Sequence, residues 1–201
     1  MVAIITGDIV HSREVDATLW MKALKDTLQS YGKEPGDWEI YRGDSFQLKT
    51  TPADALHCSF LLKSSIKTFK QLDVRIGIGI GGVDYQSEKI TESNGSAFVR
   101  SGECFEGLKK QTLAMKTEWD DFDERINLLL EVISLVIDDW TPISSTAIHQ
   151  MLQFPELNQK ELAEKLDKKS QSTISEALKR GGFDEMQKLL TYYKNEISKL
   201  C

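Results

Sequence analysis

Two Gly-Asp steps are the residues in this chain whose type and spacing could do chemistry. One ends at Asp8 and follows the apolar run 2–5, and the other ends at Asp44 in a short polar segment. Two carboxylates held close together repel each other unless a proton or a cation lies between them. Mg²⁺ prefers one or two carboxylates together with backbone oxygens and phosphates. Such a pair would hold Mg²⁺ on a nucleoside triphosphate and stabilise a phosphoryl-transfer transition state.

The apolar periodicity indicates the elements that would position this pair. The N-terminal half predicts a strand over 2–5, a helix capped by Asp16, strands over 38–41 and 46–49 around a tight turn, a helix from 52 to about 69 and a strand over 74–81. This order, βαββαβ, is typical of the ferredoxin-like arrangement. Its first two strands run in the same direction, so the end of the first strand and the 42–45 turn share one edge of the sheet. Asp8 and Asp44 are therefore expected to be neighbours, although Gly-Asp is also common in turns that bind nothing.

A strict alternation over residues 74–81 has two interpretations. Valine and isoleucines share one face, and Arg75, Gly77, Gly79 and Gly81 share the other. The missing side chains either let a helix pack closely or leave room for a ligand, and packing is the favoured interpretation. The sequence contains no P-loop and no dinucleotide-binding fingerprint.

The segments 6–10, 41–46 and 74–79 together resemble class III nucleotide cyclases and GGDEF-type proteins. The resemblance implies a palm-like sheet with Asp8 and Asp44 as metal ligands and the backbone of Ile9 as a further ligand. It also implies Mg²⁺ with a nucleoside triphosphate as cofactor. Val99 and Glu103 stand where cyclases carry an asparagine and an arginine, so nucleotide binding without turnover is an alternative expectation.

The segment 157–180 resembles a bacterial helix-turn-helix. Small and apolar residues recur at the spacing of two crossing helices, and the stretch 165–180 carries five basic and two acidic residues. In this motif the second helix reads base edges in the major groove, and flanking cations contact phosphates. The expected DNA-contacting residues are Lys168, Lys169, Gln171, Ser172, Thr173, Ser175, Lys179 and Arg180. The competing interpretation is a small helical bundle that only packs or dimerises.

Composition limits the function classes. The chain has 201 residues, 40% of them hydrophobic, and a net charge of −6. Residues 141–201 hold nine Lys/Arg and eight Asp/Glu, so this tail is +1 and the first 140 residues carry −7. Any contact with a nucleic acid is therefore expected in the tail. Three scattered cysteines and no apolar run of membrane-spanning length predict a cytoplasmic protein with no membrane partner.

Taken whole, the chain resembles the bacterial SatD family. We expect an α+β protein with a ferredoxin-like, nucleotide-cyclase-like domain over 1–118 and an all-α helix-turn-helix domain over 119–201. The leading hypothesis is a dimeric, DNA-binding regulator of transcription whose N-terminal domain senses a nucleotide or a metal. The alternatives are a Mg²⁺-dependent nucleotidyl-transfer or cyclase-like enzyme and a scaffold that only mediates assembly. The apolar helix over 125–139 is expected to be core or a dimer interface.

Overall fold

The structure, a computed structural model, describes residues 1–166 and 171–201. Its strands are β1 (Val2–Val10), β2 (Trp38–Tyr41), β3 (Ser45–Thr50), β4 (Asp73–Gly81) and β5 (Leu113–Lys116). Its helices are α1 (Ala17–Gln29), α2 (Ala55–Ile66), α3 (Ser96–Gly107), α4 (Asp120–Ile137), α5 (Pro142–Gln153), α6 (Gln159–Lys165), α7 (Gln171–Arg180) and α8 (Phe183–Ile197). The protein is therefore a mixed α+β structure.

The five strands form one mixed sheet in the order β2-β3-β1-β4-β5. The pairs β2–β3, β3–β1 and β1–β4 are antiparallel, and β5 runs parallel to β4. The central strand is β1, and it continues through the Gly-Asp step at which the sequence indicates a loop. It does so because Asp8 is paired on both sides, with Ser45 of β3 and with Arg75 of β4.

One face of the sheet carries the main hydrophobic core. Ala3, Ile5 and Ile9 of β1 and the four alternating apolar residues of β4 are buried there with α1 and α2. Asp16 caps α1 as predicted, because its side chain accepts a hydrogen bond from the Thr18 backbone N–H. Eleven of the twelve residues of α2 are buried, so this helix is covered on every side.

The other face of β4 packs directly on α3. A Cβ atom at Gly77 would lie 2.5 Å from the Phe105 nitrogen, and one at Gly79 would lie 2.2 Å from the Ser101 nitrogen. These separations are too short for any side chain, so the glycines let a helix approach the sheet. The packing interpretation of the glycine face is confirmed at these positions.

Two elements differ from the sequence-based expectation. The strand β5 was not predicted, because its four residues contain no β-branched residue and it is too short to show an alternation. The helix α4 begins at Asp120, five residues before its predicted start. Its first turn holds Asp120, Asp121 and Asp123, and carboxylates near a helix N-terminus are stabilised by the helix dipole.

The C-terminal helices share the hydrophobic core of the sheet. Residues of α4, α5, α7 and α8 belong to the same buried cluster as β1 and β4. Trp140 is buried and donates an indole hydrogen bond of 2.8 Å to the Gly181 carbonyl, just after α7. Tyr193 of α8 donates a hydrogen bond of 2.5 Å to the Pro52 carbonyl.

A buried ionic cluster joins α2 to β4 and to the end of α4. The Lys63 side chain is 0% exposed, and its Nζ lies 2.8 Å from Asp73 Oδ1 and 2.9 Å from Asp138 Oδ1. The same Nζ donates to Thr112 Oγ1 at 2.8 Å. Lys67 donates to the other oxygen of Asp73 at 3.0 Å. Each charge is thus compensated, as buried ions require.

No helix among residues 1–166 and 171–201 is long and apolar enough to cross a membrane.

Candidate functional sites at the end of the sheet and on the C-terminal helices

The structure brings Asp8 and Asp44 to one end of the sheet. Asp8 is paired in register with Ser45, the residue that follows Asp44. The Ile9 backbone N–H donates a hydrogen bond of 3.1 Å to the Asp44 carbonyl oxygen. The three residues that the sequence assigned to a metal site are therefore adjacent.

Both carboxylates have protein partners. Arg75 donates to Asp8 through Nε at 3.0 Å and through Nη2 at 2.5 Å. This hydrogen bonding to Asp8 raises the pKa of the Arg75 guanidinium, which also lies 5.3 Å from the centre of the Phe105 ring. The Ser12 hydroxyl donates to Asp44 Oδ2 at 2.7 Å. A bidentate arginine supplies to Asp8 the positive charge that a cation would otherwise supply.

Three of the four carboxylate oxygens of Asp8 and Asp44 are already hydrogen-bonded within the protein. Both oxygens of Asp8 are engaged by Arg75, and one oxygen of Asp44 is engaged by Ser12. Across residues 1–166 and 171–201, no group of three or more His, Cys, Asp or Glu could hold a metal ion. The Mg²⁺ site and its nucleoside triphosphate accordingly remain a prediction from the sequence.

Sequence reasoning missed the role of Arg75 and Ser12. The period-two pattern placed Arg75 on the glycine face of its strand, which is also the face of Asp8. The pattern could not pair them, because the pairing depends on the register of β1 against β4. Ser12 follows β1, and nothing local signals its contact with a turn 32 residues further along the chain.

The helices α6 and α7 pack through the apolar residues that the sequence assigned to their inner faces. The buried residues are Leu162 and Ala163 on α6 and Ile174, Ala177 and Leu178 on α7. Asn158 begins α6 with a capping box, since its side chain accepts from the Glu161 backbone N–H and Glu161 accepts from the Asn158 N–H. Reciprocal capping of this kind fixes where the helix starts.

The opposite face of α7 lies in solvent. The exposed residues are Gln171, Ser172, Thr173, Ser175, Glu176, Lys179 and Arg180. Arg180 and Glu176 are 3.6 Å apart on this face, one helical turn from each other. Lys168 and Lys169, the other two predicted phosphate contacts, lie outside the described residues.

A family comparison covers nearly the whole chain. The model of the SatD family matches residues 1–195. The chain belongs to the SatD family. No curated protein and no solved structure matches it.

The SatD-family chain also exposes an apolar surface on α4 and α8, which we call the α4 surface. Its most exposed members are Leu135 at 77%, Leu128 at 61% and Val132 at 56%, with Leu129 and Tyr192 beside them. All of these residues except Leu135 line a groove of about 820 Å³ between α4, α8 and the end of α7. The basic residues at the rim of this groove are Arg125, Lys179, Arg180 and Lys188. An exposed apolar patch of this kind marks an interaction site in most proteins.

Proposed function

We propose that this protein is a DNA-binding regulator of transcription that uses α7 as its recognition helix. The observation that supports the proposal is the division of α7 into two faces. Its three apolar residues are buried, and its polar and basic residues are exposed along the full length of the helix. The exposed face carries one amide, three hydroxyl and two basic side chains against the single carboxylate of Glu176, and this composition favours DNA over an ordinary solvated helix face.

The chemistry of this face suits a major groove. Gln171 and Ser175 carry the donors and acceptors that read base edges, and Lys179 and Arg180 carry the positive charge that contacts phosphates. Lys179 and Arg180 lie at the end of α7, in the stretch 165–180, which carries a net charge of +3 in an acidic chain. The net charge of −7 on residues 1–140 makes that part of the chain, taken as a whole, the less favourable side for DNA.

The proposal is tested by fluorescence anisotropy with a pool of fragments from the source genome at two salt concentrations. We expect binding that is selective for some fragments and weakens as salt rises, because bound lysines and arginines displace counterions from the phosphates. Lys179→Ala with Arg180→Ala should weaken binding to all fragments and reduce the salt dependence. Gln171→Ala with Ser175→Ala should mainly reduce the selectivity among fragments.

A matched control separates recognition from general charge. Lys22→Ala with Lys25→Ala also removes two positive charges, but from α1, a helix that the proposal does not place in contact with DNA. Equal weakening by both double variants would mean that the binding is only non-specific attraction. Unchanged binding in the α7 variant would show that α7 is not the recognition helix, and no DNA binding at all would leave the scaffold hypothesis.

We further propose that the regulator is a homodimer formed through the α4 surface. Arg125 and Val132 are seven residues apart and share one stripe of α4, and Asp139 lies seven residues further on, in the turn that follows the helix. Two copies of α4 packed antiparallel about Val132 would place Arg125 of each copy, about 10 Å from the centre, opposite Asp139 of the other. They would also place Leu128 opposite Val136. The surface is therefore complementary to itself in both charge and apolar character, as a two-fold interface requires.

The dimer is tested by light scattering after size exclusion. The wild-type chain should elute as a dimer, and Val132→Glu should make it a monomer, because the substitution places two carboxylates at the two-fold axis. Arg125→Asp should weaken the dimer, and the pair Arg125→Asp with Asp139→Arg should restore it. A wild-type monomer at high concentration would contradict the proposal.

For the N-terminal half we propose the ferredoxin-like arrangement of nucleotide cyclases. The order β2-β3-β1-β4, with antiparallel neighbours and two helices on one face, supports it. The adjacency of Asp8 and Asp44 favours a second candidate function, a Mg²⁺-dependent nucleotidyl-transfer or cyclase-like enzyme. A failure to turn over any nucleoside triphosphate with Mg²⁺ or Mn²⁺ would exclude this enzyme, whereas turnover that is lost in Asp44→Asn would establish it.

A further inference from the structure

A basic cavity lies where the sheet meets the C-terminal helices. It has a volume of about 430 Å³, within the range of small-molecule sites, and four segments of the chain converge on it. These are the end of β1 with His11, the loop from α2 to β4, the loop from α3 to β5, and the junction of α4 with α5 at Trp140. None of the functions argued above uses this cavity.

The charge of the cavity is strongly one-sided. Its cationic lining residues are Lys67, Lys70, Arg75, Lys109 and Lys110, and its single acidic lining residue among those described is Asp73. His11, also on the lining, contacts the Glu14 carboxylate at 2.9 Å. Asp73 is already compensated by Lys63 and Lys67, and Arg75 is compensated by Asp8. Lys70, Lys109 and Lys110 form no ion pair with any residue in the described ranges. These three lysines, from the α2–β4 and α3–β5 loops, therefore leave an excess of positive charge on one side of the cavity.

Five of the other lining residues are apolar, and the remaining three are Gln71, Gln111 and Thr112. Val10, Leu72, Phe69, Trp140 and Pro142 form the apolar part of the lining, and both Leu72 and Trp140 are nearly inaccessible to solvent. A cavity with cations on one side and apolar walls on the other is complementary to a ligand with an anionic group and an organic body. A monatomic anion would leave most of the volume unfilled.

Backbone strain coincides with this cavity. His11 has a φ of 60° and Gln71 a φ of 78°, and both residues are on the lining. Left-handed backbone at non-glycine residues costs free energy and concentrates at functional sites. Two of the three such residues in the described chain therefore lie at a single cavity.

We infer that this cavity binds a phosphorylated small molecule, with its phosphate groups on Lys70, Lys109 and Lys110 and its organic body against the apolar wall. The apolar wall is also connected to α7, the helix proposed above to read DNA, through a hydrogen bond of Trp140. Trp140 lies in the lining, and its indole N–H holds the Gly181 carbonyl at the end of α7. A ligand that moves Trp140 would shift the end of α7. This coupling rests on the proposed function, whereas the binding site itself does not.

The site is tested without DNA, by calorimetry and by tryptophan fluorescence in the presence of EDTA and at constant ionic strength. The probes are inorganic pyrophosphate, a set of nucleoside mono-, di- and triphosphates, and a set of sugar phosphates. We expect saturable binding of pyrophosphate, tighter binding of at least one organic phosphate, and a change in fluorescence. The two organic sets distinguish a nucleotide from a phosphorylated sugar as the source of the phosphate.

Variants locate the binding. Lys70→Ala with Lys110→Ala should weaken it about tenfold or more, and both side chains are exposed, so the fold should be unaffected. Lys22→Ala with Lys25→Ala, which removes the same charge elsewhere, should bind as the wild type does. Equal affinity in the cavity variant, or no saturable binding of any probe, would overturn the inference. Loss of DNA binding in the cavity variant without any small-molecule binding would also overturn it, because the lysines would then be contacts of the DNA backbone.

Discussion

Removal of the Lys63 ammonium group is the most demanding test of the fold. Lys63→Met keeps an apolar stem of similar length and deletes only the charge and its donors. The change breaks the contacts of Nζ with Asp73, Asp138 and Thr112 in a place where the lysine side chain has no exposure to water.

The structure sets the expected size of the loss. Breaking a buried ion pair by removing one partner costs about 3–5 kcal/mol, since the other charge is left uncompensated. Here the cost should be near the lower limit, because Asp73 keeps Lys67 and because the Asp138 side chain is 34% exposed. We therefore expect the free energy of unfolding to fall by about 3 kcal/mol. For a chain of this length, that corresponds to a decrease in melting temperature of about 6–12 °C.

Urea unfolding followed by circular dichroism measures this loss. The control is Lys116→Met, which breaks the exposed pair with Glu103 and should leave the unfolding midpoint almost unchanged. The double variant of Lys63→Met with Asp138→Asn should recover part of the stability, because it no longer leaves a charge without a partner. If Lys63→Met proves as stable as the control, the buried cluster does not stabilise the fold and the reasoning is wrong.

Three further outcomes follow from the structure. Burial lowers the pKa of His57 and of His149. Below pH 6.5 these two imidazoles are therefore more protonated in the unfolded chain than in the folded chain. The free energy of unfolding should therefore fall from pH 7 to pH 5, and it should fall less in the double variant His57→Gln with His149→Gln, as measured by urea titration at each pH. Gly79→Ala should lower the melting temperature by several degrees, because its methyl group would overlap the backbone of α3, and an unchanged melting temperature would refute that packing. Arg75→Met should cost about 1–2 kcal/mol in the same urea assay, because the part-buried Asp8 loses a bidentate partner, and a neutral result would mean that the pair is not formed in solution.

The N-terminal elements could be predicted because their residues alternate strongly. The run 74–81 has a period of two without interruption, and the glycines on one face already indicated close packing of a helix. The faces of α7 followed from the spacing of Ile174, Ala177 and Leu178 in the same way. Local pattern decides such features because each depends on residues only a few positions apart.

Features that depend on distant parts of the chain could not be predicted. The strand β5 exists because its backbone completes the sheet beside β4, although its residues have no marked preference for a strand. Lys63 lies within an apolar helix, and its partners are 10, 49 and 75 residues further along the sequence. The bidentate contact of Arg75 with Asp8 likewise arises only after two strands have taken their register. Tertiary structure supplies these contacts, and no short window of sequence contains them.

The position of α2 has a consequence for how this protein could respond to a signal. Because α2 is buried on every side, between the sheet and the C-terminal helices, the two halves of the chain depend on one shared interior. A fragment that ended near residue 118 would leave the outer side of α2 in water and should not fold. Heating should accordingly give a single calorimetric transition, with equal van't Hoff and calorimetric enthalpies. A conformational change in one half can then reach the other half only as a small displacement of the shared core. It cannot do so by separation of the two halves.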